Sequence, residues 1–289
     1  MPYNRCLSVA GVTFRIESDI SLYENEEFLP FFTERADADV CARFKKVAAL
    51  RAVPANAVRV ERLYSVERDG DTWRRYFHET PDSADCYAIA SCDTSRGLVE
   101  VEYLERGEQF VCEVKNSFYH IGFESFILQR GMLVIHASAV DTSVGGLLFS
   151  GPSGIGKSTQ EKLWCTLDGA RRINGDRPII SLDNGVVTAY GSPYAGSSKV
   201  HVNESAAVRA VFFLKKSAKC SCRRLTPSEA FRAMWPMMTV HSFDADFVDA
   251  ASALCVNLAS SLAAYELSCT PDERALELVR NILSRKDKV

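Results

Sequence analysis

A glycine-rich segment that ends in a lysine and a serine is the part of the sequence with the clearest chemistry. Residues 151–158 read Gly-Pro-Ser-Gly-Ile-Gly-Lys-Ser and match the nucleotide-binding pattern G-x-x-x-x-G-K-[ST]. In such a loop the backbone N–H groups face phosphate oxygens, Lys157 reaches the terminal phosphates, and the Ser158 hydroxyl is placed to bind magnesium. The pattern therefore predicts a site for a nucleoside triphosphate and Mg²⁺.

The residues on both sides of this loop agree with that interpretation. Residues 146–150 form a short apolar run typical of a buried strand, and residues 159–164 continue as a helix that begins where the loop ends. A motif this short also matches by chance, and the alternative is an ordinary glycine turn. The order of strand, loop and helix favours nucleotide binding.

Three further residues are candidates for chemistry near the phosphates. Asp176 can hold the metal or take the proton from an attacking hydroxyl, since P-loop enzymes place a carboxylate at the end of a neighbouring strand. His136 follows a predicted strand at 132–135, and its position alone favours a structural role. Lys199 ends a loop of small residues, 191–199, which is either a plain connection or a source of positive charge for phosphoryl transfer.

Composition narrows the class of protein. The net charge of −3 over 289 residues argues against a nucleic-acid binder held by phosphate contacts. Ten cysteines are scattered along a chain that starts without a signal peptide, which favours reduced thiols over disulfides. No apolar stretch is long enough to span a membrane. These patterns predict a cytoplasmic protein that binds neither nucleic acid nor membrane.

Short-range periodicity divides the chain into a β-rich part and a mixed part. Alternating apolar residues predict seven strands and an antiparallel sheet in the first part, at residues 6–16, 38–47, 58–67, 72–78, 85–91, 98–104 and 109–114. One helix is predicted at 116–130, capped by Asn116 and ended by Gly131. Later elements are a hairpin at 178–190, a strand at 209–216, helices at 227–240, 245–264 and 271–284, and an edge strand at 265–267.

Several motifs in a fixed order give the second half a family resemblance. They are His136-Ala-Ser-Ala-Val140, the loop 151–158, Asn174-Gly-Asp-Arg-Pro178, Gly191-Ser-Pro-Tyr-Ala-Gly196 and Ala210-Val-Phe-Phe-Leu214. Together they resemble the C-terminal catalytic domain of HPr serine kinase and its relatives, which include kinases of peptide-modification clusters. The resemblance implies an α+β protein: a β-rich region at 1–115 that recognises substrate or covers the catalytic sheet, then a P-loop kinase domain of the phosphoenolpyruvate carboxykinase type at 116–289, with a mixed sheet and flanking helices.

The resemblance also implies roles for individual residues. His136 matches the family's histidine on the strand before the loop, and Asp176 matches the second of two adjacent aspartates, the one near magnesium. The first aspartate, the family's general base, falls on Gly175, and Lys199 stands in for an arginine without a clear counterpart. The residues expected to bind ATP phosphates and magnesium are Gly151, Ser153, Gly154, Ile155, Gly156, Lys157, Ser158 and Thr159, with Ser158 and Asp176 as the metal ligands.

The activity implied is transfer of the terminal phosphoryl group of ATP to a hydroxyl, expected to be a serine of a small protein or peptide. Lys157, Asp176, His136 and Lys199 are the candidate catalytic residues. Gly175 leaves open a nucleotide-dependent binding or regulatory module without efficient transfer, and a small metabolite is a third option for the acceptor. Members of the family often form homo-oligomers, but the sequence leaves the oligomeric state and the acceptor undecided.

Overall fold

The computed structural model describes residues 2–60, 63–270 and 272–284 of the chain. The chain divides into two compact units, Met1–Ile127 and Leu128–Val289. Each unit combines a mixed β-sheet with helices, so the protein belongs to the α+β class. Within the described ranges, no helix is both long and apolar enough to cross a membrane.

The first unit is built on one large mixed sheet. Its strands are β1 Tyr3–Val9, β2 Val12–Ser18, β3 Phe32–Thr33, β4 Val40–Lys46, β5 Val58–Val60, β6 Tyr64–Asp69, β7 Thr72–His78, β8 Cys86–Asp93 and β9 Leu98–Tyr103. They lie in the order β3-β1-β2-β4-β9-β8-β7-β6-β5. Most neighbours are antiparallel, but β4 runs parallel to both β2 and β9. The prediction of a purely antiparallel sheet is therefore wrong.

Two predicted strands of this unit have a different structure. The segment 6–16 is not one strand but the hairpin β1–β2, because Ala10 and Gly11 turn the chain with φ values of 50° and 81°. The segment 109–114 is not a strand, since residues 108–111 form the short helix α1 Glu108–Val111. The predicted strand 58–67 includes residues 61 and 62, which lie outside the described residues; β5 and β6 lie on either side of them.

The predicted helix 116–130 is two helices, α2 Val114–Ile121 and α3 Phe123–Gln129. Gly122 separates them in the left-handed region at φ 64°, and a Cβ there would overlap the Arg75 guanidinium. The Arg75 side chain donates to the Ile121 carbonyl at 2.6 Å. Phe118 of α2 packs on the rings of Phe14 and Phe28. These contacts attach α2 to the first unit, which extends to residue 127.

The second unit is a mixed sheet with helices. Its strands are β10 Met132–Val134, β11 Ala137–Thr142, β12 Gly145–Ser150, β13 Arg171–Asn174, β14 Ile179–Asp183, β15 Val186–Tyr190, β16 Ser205–Lys216, β17 Ser221–Arg224 and β18 Ala263–Cys269, and its helices are α4 Lys157–Leu167, α5 Pro227–Met234, α6 Ala245–Ser261 and α7 Glu273–Ser284. The sheet order is β10-β14-β15-β16-β12-β11-β13, and β18 joins β16 to β17. Pro271, the expected first residue of the last helix, lies outside the described residues.

Three neighbouring strands of this sheet run in the same direction. β16 is parallel to β12 on one side and to β18 on the other. The carboxyl ends of parallel strands meet at one edge of a sheet, which is where α/β proteins bind ligands. Here that edge brings together the residues that follow Ser150, Lys216 and Cys269.

The core lies on both faces of these strands. Leu148 of β12 belongs to one cluster of buried apolar side chains, and its neighbours Leu147 and Phe149 belong to the cluster on the other face. Phe149 stacks on Phe212 of β16, with 5.7 Å between ring centroids. A strand buried on both faces explains why residues 147–149 form a continuous apolar run instead of an alternating one.

Leu148→Ala should lower the free energy of unfolding of the second unit by about 2–5 kcal/mol, because Leu148 is fully buried and its truncation leaves a cavity. Urea unfolding of the variant and of the natural chain measures this difference. The matched control is Val186→Ala at an exposed strand position, which should have little effect. Equal effects of the two substitutions would contradict the packing described for β12.

Candidate functional site

The glycine loop connects a buried strand to the start of a helix, as expected. Strand β12 ends at Ser150, and α4 begins at Lys157 with Gly156 as its N-cap residue. Gly154 and Gly156 have φ values of 73° and 119°, which side-chain-bearing residues rarely adopt. The Gly156 carbonyl accepts from the N–H groups of Thr159 and Gln160, so the N–H groups of Lys157 and Ser158 precede the first helical bond. A helix end of this kind attracts anions.

The lysine of the motif lies over its own loop. The Lys157 ammonium donates to the carbonyls of Gly151 at 3.0 Å and Pro152 at 3.2 Å, and the residue is buried. Burial lowers the pKa of Lys157, Arg177 lowers it further, and Asp176 opposes both. The cation is therefore held close to the loop amides and in electrostatic contact with Asp176.

Asp176 lies between two side chains that can carry positive charge. Its Oδ1 is 3.4 Å from Nε2 of His136, and its Oδ2 is 3.6 Å from Nε of Arg177. Burial and the charge of Lys157 lower the pKa of His136, while Asp176 raises it. The Asp176 carboxylate thus faces the imidazole on one side and the Arg177 cation on the other.

The backbone of Asp176 is fixed by a buried amide. The Asn174 side chain accepts from the N–H groups of Asp176 at 2.9 Å and Arg177 at 2.7 Å, and it donates to the Ser192 carbonyl at 3.0 Å. The Ser192 hydroxyl donates to the Arg177 carbonyl at 2.6 Å. Both Asn174 and Ser192 are fully buried. The sequence indicates the hydrogen bonds that Asn174 accepts from the two following residues, because an asparagine before Gly-Asp is typical of an Asx turn.

Two buried serines attach the neighbouring strands to the loop. Ser138 of β11 donates to the Lys157 carbonyl at 3.1 Å, and Ser150 of β12 donates to the His136 carbonyl at 2.9 Å. Their side chains therefore connect the strand that follows His136 with the start of α4. No sequence pattern singles out either serine, since isolated serines are common in strands.

The small-residue loop 191–199 lies against Asp176 through one of its glycines. A Cβ on Gly196 would come 2.7 Å from Cγ of Asp176, so a larger residue would displace the carboxylate. Lys199 is exposed and adopts φ 53° after the 3-10 turn Gly196–Ser198. No hydrogen bond or ion pair between described residues joins the Lys199 side chain to Asp176, His136 or Lys157. The loop is therefore next to Asp176, while the Lys199 side chain is not bonded to it.

The position expected to carry a second carboxylate has no room for one. A Cβ on Gly175 would overlap the Ser198 side chain and come 3.0 Å from Oε2 of Glu161. Glu161 lies on α4, one turn beyond Ser158, and is buried. The space beside Asp176 is thus filled by side chains from α4 and from the loop 191–199.

The oxygen donors available for a cation are few. Ser158, in the first turn of α4, supplies a hydroxyl, and Asp176 supplies a carboxylate. Among residues whose positions are described, no group of three or more His, Cys, Asp or Glu side chains is arranged to hold a metal. Mg²⁺ fits such a set, because it keeps several waters and takes one or two protein oxygens together with phosphate oxygens. The described residues do not form the cluster of His, Cys, Asp or Glu side chains that would hold a zinc ion.

A cavity of about 640 Å³ opens beside the loop. It lies at the sheet edge where β16 and β18 end, and its lining is Gly154, Ile155, Gly156, Thr159, Gln160, Leu214, Lys215, Lys216, Ser217, Ala218, Cys269 and Thr270. Gln160 is buried, its amide nitrogen is 3.5 Å from Sγ of Cys269, and its Oε1 has no hydrogen-bond partner among the described residues. The cavity residues from β16 and β18 are distant from the loop in sequence, and only the parallel strand order brings them to it.

Comparison with known proteins adds little to this site. No protein-family model matches the chain. No curated protein matches it either. Fifty chains in solved structures do match, and one of them is the Hpr(Ser) kinase/phosphatase from Coxiella burnetii, with 13% identity and a TM-score of 0.32 over 53% of this chain and 98% of that chain. A likeness of this size is no basis for transferring an activity.

Replacing Lys157 by Met should raise the pKa of His136, because it removes a positive charge that disfavours the imidazolium. Asp176→Asn should lower the same pKa, because it removes the negative charge that favours the imidazolium. Titration of the ring resonances by NMR measures both shifts. The control is Lys162→Met, an exposed lysine on the same helix, which should leave the pKa of His136 unchanged. Identical titration curves in all variants would show that the three groups do not share one site.

Proposed function

We propose that the protein is an ATP-dependent phosphotransferase that passes the terminal phosphoryl group to a hydroxyl, expected to be a serine of a small protein or peptide. The observation that supports this most is the grouping of Lys157, Asp176 and His136 around the N-terminal end of α4. The group combines an anion-binding backbone, a buried cation and a carboxylate. Phosphoryl transfer requires these elements, since its catalysis comes mainly from positioning and electrostatics.

In this proposal the loop holds the phosphates. The backbone N–H groups of Ser153, Gly154 and Gly156 in the loop and of Lys157 and Ser158 at the start of α4 donate to phosphate oxygens, as do the side chains of Ser158 and Thr159. Lys157 exchanges the carbonyls of Gly151 and Pro152 for oxygens of the terminal phosphates. The negative charge of the ligand then offsets the charge of Lys157. This attraction compensates part of the free-energy cost of burying the ammonium group.

Ser158 and Asp176 are the residues proposed to hold magnesium. A bound Mg²⁺ neutralises charge on the phosphates. Asp176 also accepts the proton of the attacking hydroxyl: the O–P bond to the acceptor forms, the bond to the leaving ADP oxygen breaks, and the electron pair goes to ADP. His136, whose Nε2 is 3.4 Å from Oδ1 of Asp176, orients the carboxylate and can take the proton from it afterwards.

The cavity beside the loop is proposed to hold the nucleoside part of ATP. It adjoins Gly154–Gly156 and Thr159, and its volume suits a purine base with its ribose. The buried Oε1 of Gln160 has no hydrogen-bond partner in the part of the chain that the structure describes, and it matches a ligand N–H or O–H donor. These features favour a nucleotide over inorganic polyphosphate.

A nucleotide-dependent binding module is the competing function, and one observation favours it. Gly175 has no room for the second carboxylate of a typical transfer site. In that case Asp176 serves only the metal, and the protein recognises a partner without phosphorylating it.

Asp176→Asn separates the two functions. For a phosphotransferase, turnover should fall by about 10²–10⁴-fold, because the amide cannot accept the proton. Transfer of labelled phosphate from ATP to peptides or small proteins encoded near the gene measures turnover, and a metabolite panel covers a small acceptor. The matched control is Asp183→Asn at an exposed hairpin turn, which should keep full activity. ATP binding without transfer in the natural chain, changed in Asp176→Asn only in its magnesium dependence, would favour the binding module.

Gln160→Leu tests the nucleoside cavity. The substitution should weaken ATP binding by about tenfold, the equivalent of one neutral hydrogen bond, and leave the binding of inorganic triphosphate unchanged. Calorimetric titration with each ligand measures the two affinities. Equal weakening for both ligands, or for neither, would place the nucleoside elsewhere.

A further inference from the structure

Two cysteines lie opposite one another at one end of the β17–β18 pair. The antiparallel register pairs Ser221 of β17 with Ser268 of β18. Continued by one residue, this register places Cys220 opposite Cys269. Both are free thiols in this structure. The strand pairing therefore brings together two groups that can form a covalent bond.

The backbone of β18 indicates how close the two cysteines are. The Cys269 carbonyl accepts from the N–H of Ser217, directly after β16, at 3.2 Å. The N–H and C=O of one strand residue point to the same side, so Cys269 and Cys220 form the narrow type of antiparallel pair. The Ala264 carbonyl accepts from Leu225 on the β17 side at 2.8 Å, and alternation along β18 gives the same assignment. In a narrow pair the Cα atoms are about 4.5 Å apart, and disulfides span Cα separations of about 4.4–6.8 Å.

The side chains of the two cysteines lie on the same face of the strands. Cys269 belongs to a cluster of buried apolar side chains, and Cys220 packs against that cluster. Sγ of Cys220 is 3.9 Å from Oγ1 of Thr270, the residue that follows Cys269. Cys222 packs against the same cluster, but it lies opposite Leu267. Its Cα is diagonal to that of Cys269 at about 7–8 Å, beyond the usual reach of a disulfide.

Cys269 links this pair to the cavity beside the glycine loop. It lines the cavity, and its Sγ accepts from Nε2 of Gln160 at 3.5 Å. A bond to Cys220 turns this sulfur toward β17 and away from Gln160. The buried Gln160 amide then loses a partner, and the wall of the cavity that α4 forms is changed.

We propose that Cys220 and Cys269 form a redox-active dithiol, which a low-molecular-weight disulfide oxidises reversibly and whose oxidation changes the cavity at Gln160. The disulfide itself is independent of the proposed function. Only its effect on ATP binding rests on that function.

Two steps of thiol–disulfide exchange form the bond. Cys220 is the more exposed thiol and reacts first: its thiolate bonds to one sulfur of the reagent, the S–S bond of the reagent breaks, and one reagent thiol leaves. Burial raises the pKa of Cys269 to about 11, so Cys269 is the slower thiol toward a reagent and acts second. It attacks Sγ of Cys220, and the second reagent thiol leaves. The protein has then lost two electrons and two protons, and the reagent has been reduced to two thiols.

Oxidised glutathione tests the dithiol. After incubation of the full chain and alkylation of the remaining thiols, peptide mass spectrometry should find an intramolecular cross-link between Cys220 and Cys269, which dithiothreitol removes. Cys220→Ser should abolish this cross-link. The matched control is Cys222→Ser, which removes a thiol from the same strand and face and should leave the cross-link in place. A natural chain without this cross-link, or one in which Cys269 pairs with Cys222, would overturn the proposal.

The side-chain amide of Gln160 gives the second readout. Its NMR resonances should shift on oxidation in the natural chain and in Cys222→Ser, and they should stay in place in Cys220→Ser treated in the same way. ATP affinity, measured by calorimetric titration, should fall by about tenfold on oxidation with the same pattern among the variants, because Gln160 is no longer held toward the ligand.

The two readouts separate the parts of the inference. Cross-linking without a shift of the Gln160 resonances would overturn the effect on the cavity. Shifted resonances with an unchanged ATP affinity would overturn the control of ATP binding. If neither redox form binds ATP, the proposed function fails, while the cross-link and the Gln160 resonances still decide whether the dithiol acts on the cavity.

Discussion

The hydrogen bonds of one buried side chain, Asn174, hold the site together. Its amide accepts two backbone N–H groups from the Asp176 segment and donates to Ser192, which bonds back to the Arg177 carbonyl. The side chains of Asn174 and Ser192 are fully buried, and each of their polar groups would cost about 1–3 kcal/mol if left without a partner. The orientation of the Asp176 carboxylate and the start of the loop 191–199 therefore depend on one another. The positions of His136 and Gly196 beside that carboxylate follow from the same constraint.

Two cations, Lys157 and Arg177, lie near the single carboxylate of Asp176, so positive charge dominates around it. Burial and the charge of Arg177 lower the pKa of Lys157, and burial, Lys157 and Arg177 lower the pKa of His136, while Asp176 opposes both shifts. A triphosphate would relieve the repulsion and raise both pKa values. The end of α4 adds its partial positive charge to the same place.

Local patterns in the sequence predicted the parts of this protein that are continuous in the chain. The strand, glycine loop and helix at 146–167 are found as expected, and the hairpin 178–190 and the strand at 209–216 are found as well. Two predictions in the first unit failed at short turns: Ala10-Gly11 splits a strand, and Gly122 splits a helix, since an apolar pattern continues across a tight turn. The parallel pairing of β4 depends on distant residues, which periodicity does not report.

The site itself was only partly predictable for the same reason. Lys157, His136 and Asp176 belong to recognisable motifs, and the structure brings these three close together. Glu161, Ser198 and the cavity residues at the ends of β16 and β18 join them only through the tertiary fold. Lys199 is the opposite case, a residue that the sequence named as a candidate. Its loop lies beside Asp176, but no hydrogen bond or ion pair among the described residues joins its side chain to the site. The absence of a carboxylate at 175 has a steric cause that becomes visible only when Ser198 and Glu161 are placed.

A crystal structure of the protein with Mg²⁺ and a non-hydrolysable ATP analogue would show whether the loop, Asp176 and the adjoining cavity form one nucleotide site. We expect the terminal phosphate between Nζ of Lys157 and the Asp176 carboxylate, the metal on Ser158 and Asp176, and the base in the cavity next to Gln160. A nucleotide bound away from the loop, or one whose terminal phosphate points away from Asp176, would contradict it.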